Sequence, residues 1–392
     1  MTESSLLKQK IYLFSYTVLM IAAVLYVYSA FNSVNLVSKP FFIQIVWNTS
    51  VLFFIFSQMF LFFFYNSGHK RILSLLLICI LLFFAIVFGK SLNLMIICLI
   101  LLILNSNSVN FTIFIKFDFF IRLISLITLV LMFVFNIIPS VYNVYVLRGQ
   151  ELRSSFGFNH PNTFGGYYLY LLISLLFYIS INVDNNKKYK SFNKYIYLFI
   201  FLSGFFIEFI YADSRSAQVA FVLILILLIP LSIKHDITPP KPIFGFLFFA
   251  LIYCISLLFV FLYNPNSDFF YNLNLLTSNR LYLQNQAFNI YGFGIFNTSD
   301  FTQGRPIWVD NQYAFNLISM GLIGSAIYIY IYFKSIFNSY RIKSYLIYIV
   351  LIAIIVKGCF ESTIIDYYAM MPIVASFMIN NNQLEKERNL GG

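Results

Sequence analysis

Apolar runs close to the ~20 residues needed to cross ~30 Å of hydrocarbon recur from one end of this chain to the other, and few folds accommodate that pattern. They fall at 11–31, 41–64, 72–89, 91–105, 119–139, 163–182, 195–212, 216–233, 243–263, 311–333, 345–358 and 363–379. In lipid every backbone N–H and C=O must be satisfied inside the protein, so each run is expected to be a helix. The expected fold is all-α, a polytopic transmembrane bundle forming one integral membrane domain over 1–392. About twelve spans are counted, or ten to twelve because the fourth and eleventh runs are short. Hydrophobic residues make up 60% of the chain and charged residues 10%. Any chemistry must therefore sit in a few polar segments, where buried or interfacial charge is costly and tends to be functional.

The basic residues orient the bundle. With a cytoplasmic N-terminus, the inner loops and helix ends hold Lys8, Lys10, Lys70, Arg71, Lys116, Arg122, Lys187, Lys188, Lys190, Lys194, Lys234, Lys241, Lys334, Arg341, Lys343, Lys386 and Arg388. That bias is the positive-inside pattern, with both termini cytoplasmic. The formal net charge of +11 is accounted for by these loops and calls for no nucleic-acid partner. The first apolar run is too long for a signal-peptide core and reads as an uncleaved span. Cys79, Cys98, Cys254 and Cys359 lie scattered in apolar runs and read as packing residues, and no metal-ligand spacing or cofactor motif is present.

Lysine and arginine are sorted differently across this map. Only Lys39, Lys90 and Lys357 fall on the outer side, but Arg148, Arg153, Arg215, Arg280 and Arg305 all do. Guanidinium offers a planar fork of donors that matches phosphate or carboxylate, so an anionic ligand at the outer face is expected. The alternative is that these arginines snorkel to lipid headgroups or pair with Glu151, Asp213, Asp268, Asp300 and Asp310.

Two outer loops stand out by length, 140–162 and 264–310. The first contains RGQELRSSFGFNHPN, Arg148 to Asn162. Pro161 disfavours helix at His160, and Asn162 reads as the N-cap of the next span, which seats His160 at a helix N-terminus where anions are favoured. A histidine there can also be purely structural. In the second loop, Asn279 to Tyr291 is expected to be an amphipathic helix on the membrane surface, beginning near Arg280. The turn YADSRSAQ, Tyr211 to Gln218, needs a cap from Asp213 or Ser214, and Arg215 either neutralises Asp213 or faces a ligand. At WVDNQYAF, Trp308 to Phe315, Asp310 is either an N-cap or a general base, with Asn311 and Tyr313 beside it. Glu361 and Asp366 are weaker candidates, and Glu208 lies in an apolar run where it requires a partner.

These motifs, in this order, resemble the O-antigen polymerase and ligase superfamily, and in particular its Wzy-type repeat-unit polymerases. The resemblance covers roughly 145–335 and rests on FGFNHPNTFGGYYLYLL, DSRSAQ, SNRLYLQNQAFNIYGFG and VDNQYAFNLISMGLIG. It implies a metal-independent membrane glycosyltransferase of GT-C-like architecture that needs no cofactor. The substrates implied are undecaprenyl-diphosphate-linked oligosaccharides, joined by block transfer at the outer face of a bacterial inner or plasma membrane into O-antigen or capsule. A chain-length regulator and a flippase are the implied partners. By the same resemblance Arg153, Arg215 and Arg280 bind diphosphate, with His160 and Asn162 lining the pocket. Asp310 is the first choice of base and His160 the second, while Arg148, Arg305, Asn311 and Tyr313 complete the candidate set.

The superfamily's ligases carry a histidine in the late outer loop, where this chain has Asp310 and no histidine after His235. Polymerase is thus favoured over an O-antigen ligase. A flippase or secondary transporter remains the alternative from another class; such proteins place their sites near the bilayer midplane, often within inverted repeats.

Overall fold

The computed structural model describes residues 3–32, 41–65, 91–138, 153–184, 193–233, 237–277, 279–295, 309–362 and 367–378. All regular structure among them is helical. The helices are α1 (Glu3–Ala23, continued by a π-helical turn Val24–Tyr28), α2 (Phe41–Tyr65), α3 (Ser91–Leu104), α4 (Phe111–Val134), α5 (Pro161–Asp184), α6 (Asn193–Tyr211) and α7 (Arg215–Ile233). They are followed by α8 (Pro242–Phe261), α9 (Asp268–Leu276), α10 (Arg280–Tyr291), α11 (Gln312–Arg341), α12 (Tyr345–Lys357) and α13 (Tyr367–Met378). Seven of these, α1, α2, α4, α5, α7, α8 and α11, are long and apolar enough to cross a membrane. Shorter apolar helices cover Leu94–Leu104, Tyr195–Tyr211, Tyr345–Lys357 and Tyr367–Met378. The chain is a helical membrane bundle; the expected run at 72–89 lies outside the described residues.

The chain divides into two compact units, the first built on 1–75, 98–237 and 377–392 and the second on 76–97 and 238–376. In the first unit a polar seam ties apolar helices together. Asp118 and Arg122 of α4 form a fully buried ion pair at 2.7 Å. Tyr16 of α1 and Ser174 of α5 both donate to the Asp118 carboxylate, and Tyr167 Oη donates to the Arg122 carbonyl at 3.1 Å. Buried charge survives in an apolar interior when paired and hydrogen-bonded in this way. A second node joins α1, α2 and α3: Gln58 Nε2 donates to Ser15 Oγ at 2.8 Å, and Asn105 Nδ2 donates to Gln58 Oε1 at 2.9 Å. The run expected from 119 begins earlier, since α4 starts at Phe111 and takes in Lys116 and Asp118. Asn110 caps it by accepting from Thr112 N at 2.9 Å.

In the second unit α11 is two helices. Gly321 has φ 69° and ψ −168°, which no right-handed helix contains. The Tyr313 and Tyr328 rings lie 6.4 Å apart, although fifteen residues of straight helix would separate them by about 22 Å. The short arm, 312–320, therefore folds back beside the long arm, 322–341. Phe249 of α8 packs against Tyr313, Tyr328 and Tyr332 together, with centroids 6.1, 6.4 and 5.7 Å away. Breaking a helix orphans the first amides of the arm that follows. Two of them are recovered here, because Leu322 N donates to Gly294 O at 3.0 Å and Ile323 N to Ile295 O at 3.3 Å. The expected span at 311–333 is thus redrawn: its beginning belongs to the short arm, and the long arm extends to Arg341.

Candidate functional site

The polar groups singled out in the sequence gather into one cluster within each unit.

In the first unit the segment 153–160 is fastened on three sides. Asn159 N donates to Tyr28 O and Ala30 N to Gly157 O, both at 2.8 Å, and Asn159 Nδ2 donates to Val27 O at 3.0 Å. The Val27 and Tyr28 carbonyls belong to the π-helical turn, where the regular α-helical ladder is interrupted. Gly157, at φ 86°, passes so close to α4 that a Cβ would sit 2.8 Å from the Leu129 carbonyl oxygen. On the third side Ser154 N donates to Tyr211 O at 2.7 Å. Arg153, 5% exposed, donates from Nε to Ala212 O at 2.8 Å and from Nη2 to Asn162 Oδ1 at 2.6 Å.

Arg153 thus binds both Asn162 and the α6–α7 turn. The helix cap falls to His160 rather than Asn162, since His160 Nδ1 accepts from Asn162 N at 3.0 Å and α5 begins at Pro161. That bond uses the Nδ1 lone pair, so a neutral imidazole here carries its proton on Nε2.

The α6–α7 turn owes its shape to Glu208. This buried carboxylate accepts from Ser214 N at 2.7 Å through Oε1, while its carbonyl accepts from Ala212 N at 2.9 Å and Asp213 N at 3.0 Å. Asp213 occupies the left-handed region at φ 44° and accepts from Gln218 Nε2 at 3.0 Å. Gly165 of α5 abuts this turn; a Cβ there would lie 2.7 Å from Ser214 Cβ and 2.8 Å from Glu208 Oε1. The result is an exposed Arg215 at the first residue of α7. Among the described residues its guanidinium has no ion pair, and Asp213 is not its partner. A cation at a helix N-terminus opposes the macrodipole, so the helix itself gains nothing from it.

In the second unit four charges meet. Arg280 Nε stands 3.0 Å from Asp310 Oδ2, and Arg280 Nη1 donates to the Phe360 carbonyl. Next to Phe360, Glu361 holds the buried amine of Lys357 at 2.6 Å. The short arm of α11 is capped by Asn311, not Asp310: Asn311 Oδ1 accepts from Tyr313 N at 2.9 Å and Ala314 N at 3.1 Å, and its Nδ2 donates to Ser256 Oγ. Gln312 N donates to Gly358 O at 2.8 Å and Tyr313 Oη to Ile355 O at 2.5 Å. The N-terminal end of the short arm therefore meets the C-terminal end of α12, so opposite dipole ends face each other. Burial pushes the Asp310 carboxyl above its usual range; Arg280 opposes that rise and Glu361 adds to it.

Of the sequence-derived candidates, Arg153, His160, Asn162 and Arg215 share the first cluster, while Arg280, Asp310, Asn311 and Tyr313 share the second. Arg148 and Arg305 lie outside the described residues. The Lys357–Glu361 and Asp118–Arg122 pairs escaped the sequence reading, although each has the four-residue spacing at which helical side chains meet. Among the described residues no three of His, Cys, Asp and Glu gather closely enough to hold a metal ion. No family model matches the chain, and neither a curated protein nor a solved structure is similar to it.

Proposed function

We propose that this protein is a repeat-unit polymerase acting on lipid-diphosphate-linked oligosaccharides at the outer face of a bacterial inner or plasma membrane. The observation that carries the reading is Arg215. Its guanidinium is exposed and unpaired among the described residues, at a helix end where a cation is unfavourable, on a turn that Glu208 and Arg153 brace from behind. Such a fork suits a diphosphate. Arg153, buried and tied to Asn162 and Ala212, is a positioning residue in this scheme.

In the reaction a hydroxyl of the acceptor's terminal sugar attacks the anomeric carbon of the donor glycan, and the bond from that carbon to the diphosphate oxygen breaks. The released lipid diphosphate takes up negative charge that arginine stabilises. The first-choice base for the hydroxyl proton is Asp310, which within the second unit stands 3.0 Å from Arg280, itself a candidate diphosphate ligand. His160 is the weaker base because its Nδ1 is committed to the α5 cap. The twelve-span count and GT-C-like architecture belong to this proposal.

The test is a gel of surface polysaccharide from a deletion strain complemented with wild type, Arg215→Ala or Arg215→Lys. A polymerase gives single repeat units on the acceptor after deletion, a ladder restored by wild type, and loss of that ladder in both variants at normal membrane levels. Full-length chains left on the lipid carrier indicate a ligase, and absence of any glycan at the outer face indicates a flippase or transporter.

A further inference from the structure

The surface helix expected over Asn279–Tyr291 is present as α10, but it is α10 that docks and α9 that stays open. α10 buries Leu281, Gln284 and Ala287, and Ala287 packs with Val260, Val309, Ala314 and Ile318. α9 buries only Asn274. Phe269 and Leu276, seven residues apart and so on one helical face, are 59% and 74% exposed, and Leu273 falls between them on that face. Asp268 and Asn272 are exposed on the same side, Asn272 one turn before Leu276, and Tyr271 and Leu275, 56% and 53% exposed, extend the apolar surface beyond them.

What covers the apolar face follows from its neighbours. α8 is long and apolar enough to cross a membrane, and Leu247, Leu251, Leu258 and Leu262 are exposed along and just past it, as lipid-facing residues are. Six residues separate α8 from α9, and the Phe269 ring lies 6.4 Å from Phe259. Its apolar face therefore continues the lipid-facing belt at the point where α8 leaves the hydrocarbon.

The inward side of α9 is bonded to the start of α10. Asn274 Oδ1 accepts from Tyr282 N at 3.0 Å, Asn274 Nδ2 donates to Asn279 Oδ1 at 3.0 Å, and Asn279 N donates to Asn274 O at 2.8 Å. Asn279, at φ 63°, turns the chain directly into Arg280.

We propose that α9 is an interfacial anchor: it lies in the bilayer leaflet at which α8 ends, with Phe269, Leu273 and Leu276 among the acyl chains, and through Asn274 it fixes the depth of Arg280. Amphipathic helices bind membranes through such buried apolar faces. The inference does not depend on the polymerase reading.

The test uses the full chain in nanodiscs with an environment-sensitive fluorophore on Leu276→Cys, the parent chain giving the labelling background. The expected result is that the label at 276 is quenched by lipids carrying a nitroxide near the headgroup and shielded from aqueous iodide. Iodide quenching at 276 overturns the proposal, and so does quenching at 276 by neither agent, which means that protein covers this face. Phe269→Cys repeats the measurement should Leu276→Cys fail to fold.

Discussion

Arg280 Nε lies 3.0 Å from Asp310 Oδ2 while the same guanidinium reaches the Phe360 carbonyl, so one side chain ties the start of α10 to the loop before α11 and to the end of α12. As an ion pair it contributes little to stability. The side chains are 19% and 34% exposed, and pairs of that kind are worth roughly 0.2–1 kcal/mol. Its larger effect is on the proton affinity of Asp310.

Burial and Glu361 raise the Asp310 pKa, and Arg280 lowers it. In the proposed reaction the base acts only when ionised, so activity is expected to decline as pH falls through that pKa. Removing the opposing cation with Arg280→Gln is expected to move the acid limb of the pH–activity profile upward; Glu361→Gln is expected to move it downward. Steady-state polymerisation in detergent across pH checks both, and shifts in the same direction contradict the assignment. The double variant Lys357→Met/Glu361→Leu controls for the charge that Glu361→Gln leaves unpaired.

Gly165→Ala forces a methyl within 2.7 Å of Ser214 Cβ. Overpacking a tight contact costs about 1–3 kcal/mol, so a lower midpoint in a thermal size-exclusion assay is expected, with reduced activity because the displaced turn carries Arg215. An unchanged midpoint would mean that α5 and the turn are not in close contact.

At Gly321 the backbone has φ 69° and ψ −168°, a combination essentially confined to glycine. Gly321→Ala is expected to cost about 1–3 kcal/mol. Limited proteolysis, reporting on the 292–295 segment that bonds to Leu322 and Ile323, should show faster cutting there than in wild type.

Breaking the buried Asp118–Arg122 pair from one side leaves a charge without its counterion. Asp118→Leu and Arg122→Leu are each expected to destabilise by about 3–5 kcal/mol, and the double variant by less than either. Thermal midpoints of the three proteins form the cycle that decides this.

The candidate residues differ in how much of their role the sequence carried. The all-helical character followed from run length alone, because lipid offers backbone groups no partner. The arginines that the expected topology places outside were visible as an exception to the positive-inside bias, which is a one-dimensional property. Partner choice was not visible. The cap passed from Asn162 to His160 because capping depends on which side chain faces the free amides, and Asp310, read as cap or base, is an ion-pair partner of Arg280 while Asn311 caps the helix.

Run length and residue type by themselves determined an all-helical membrane bundle with polar segments at 148–162, 211–218, 279–291 and 308–315. Only the tertiary structure decided that α11 folds back at Gly321, that Arg153 is buried while Arg215 is exposed, and that α9 rather than α10 leaves an apolar face open. The physical reason is that hydropathy is set by each side chain alone, whereas burial, hydrogen-bond pairing and helix breaks depend on which distant segment arrives to supply the missing partner.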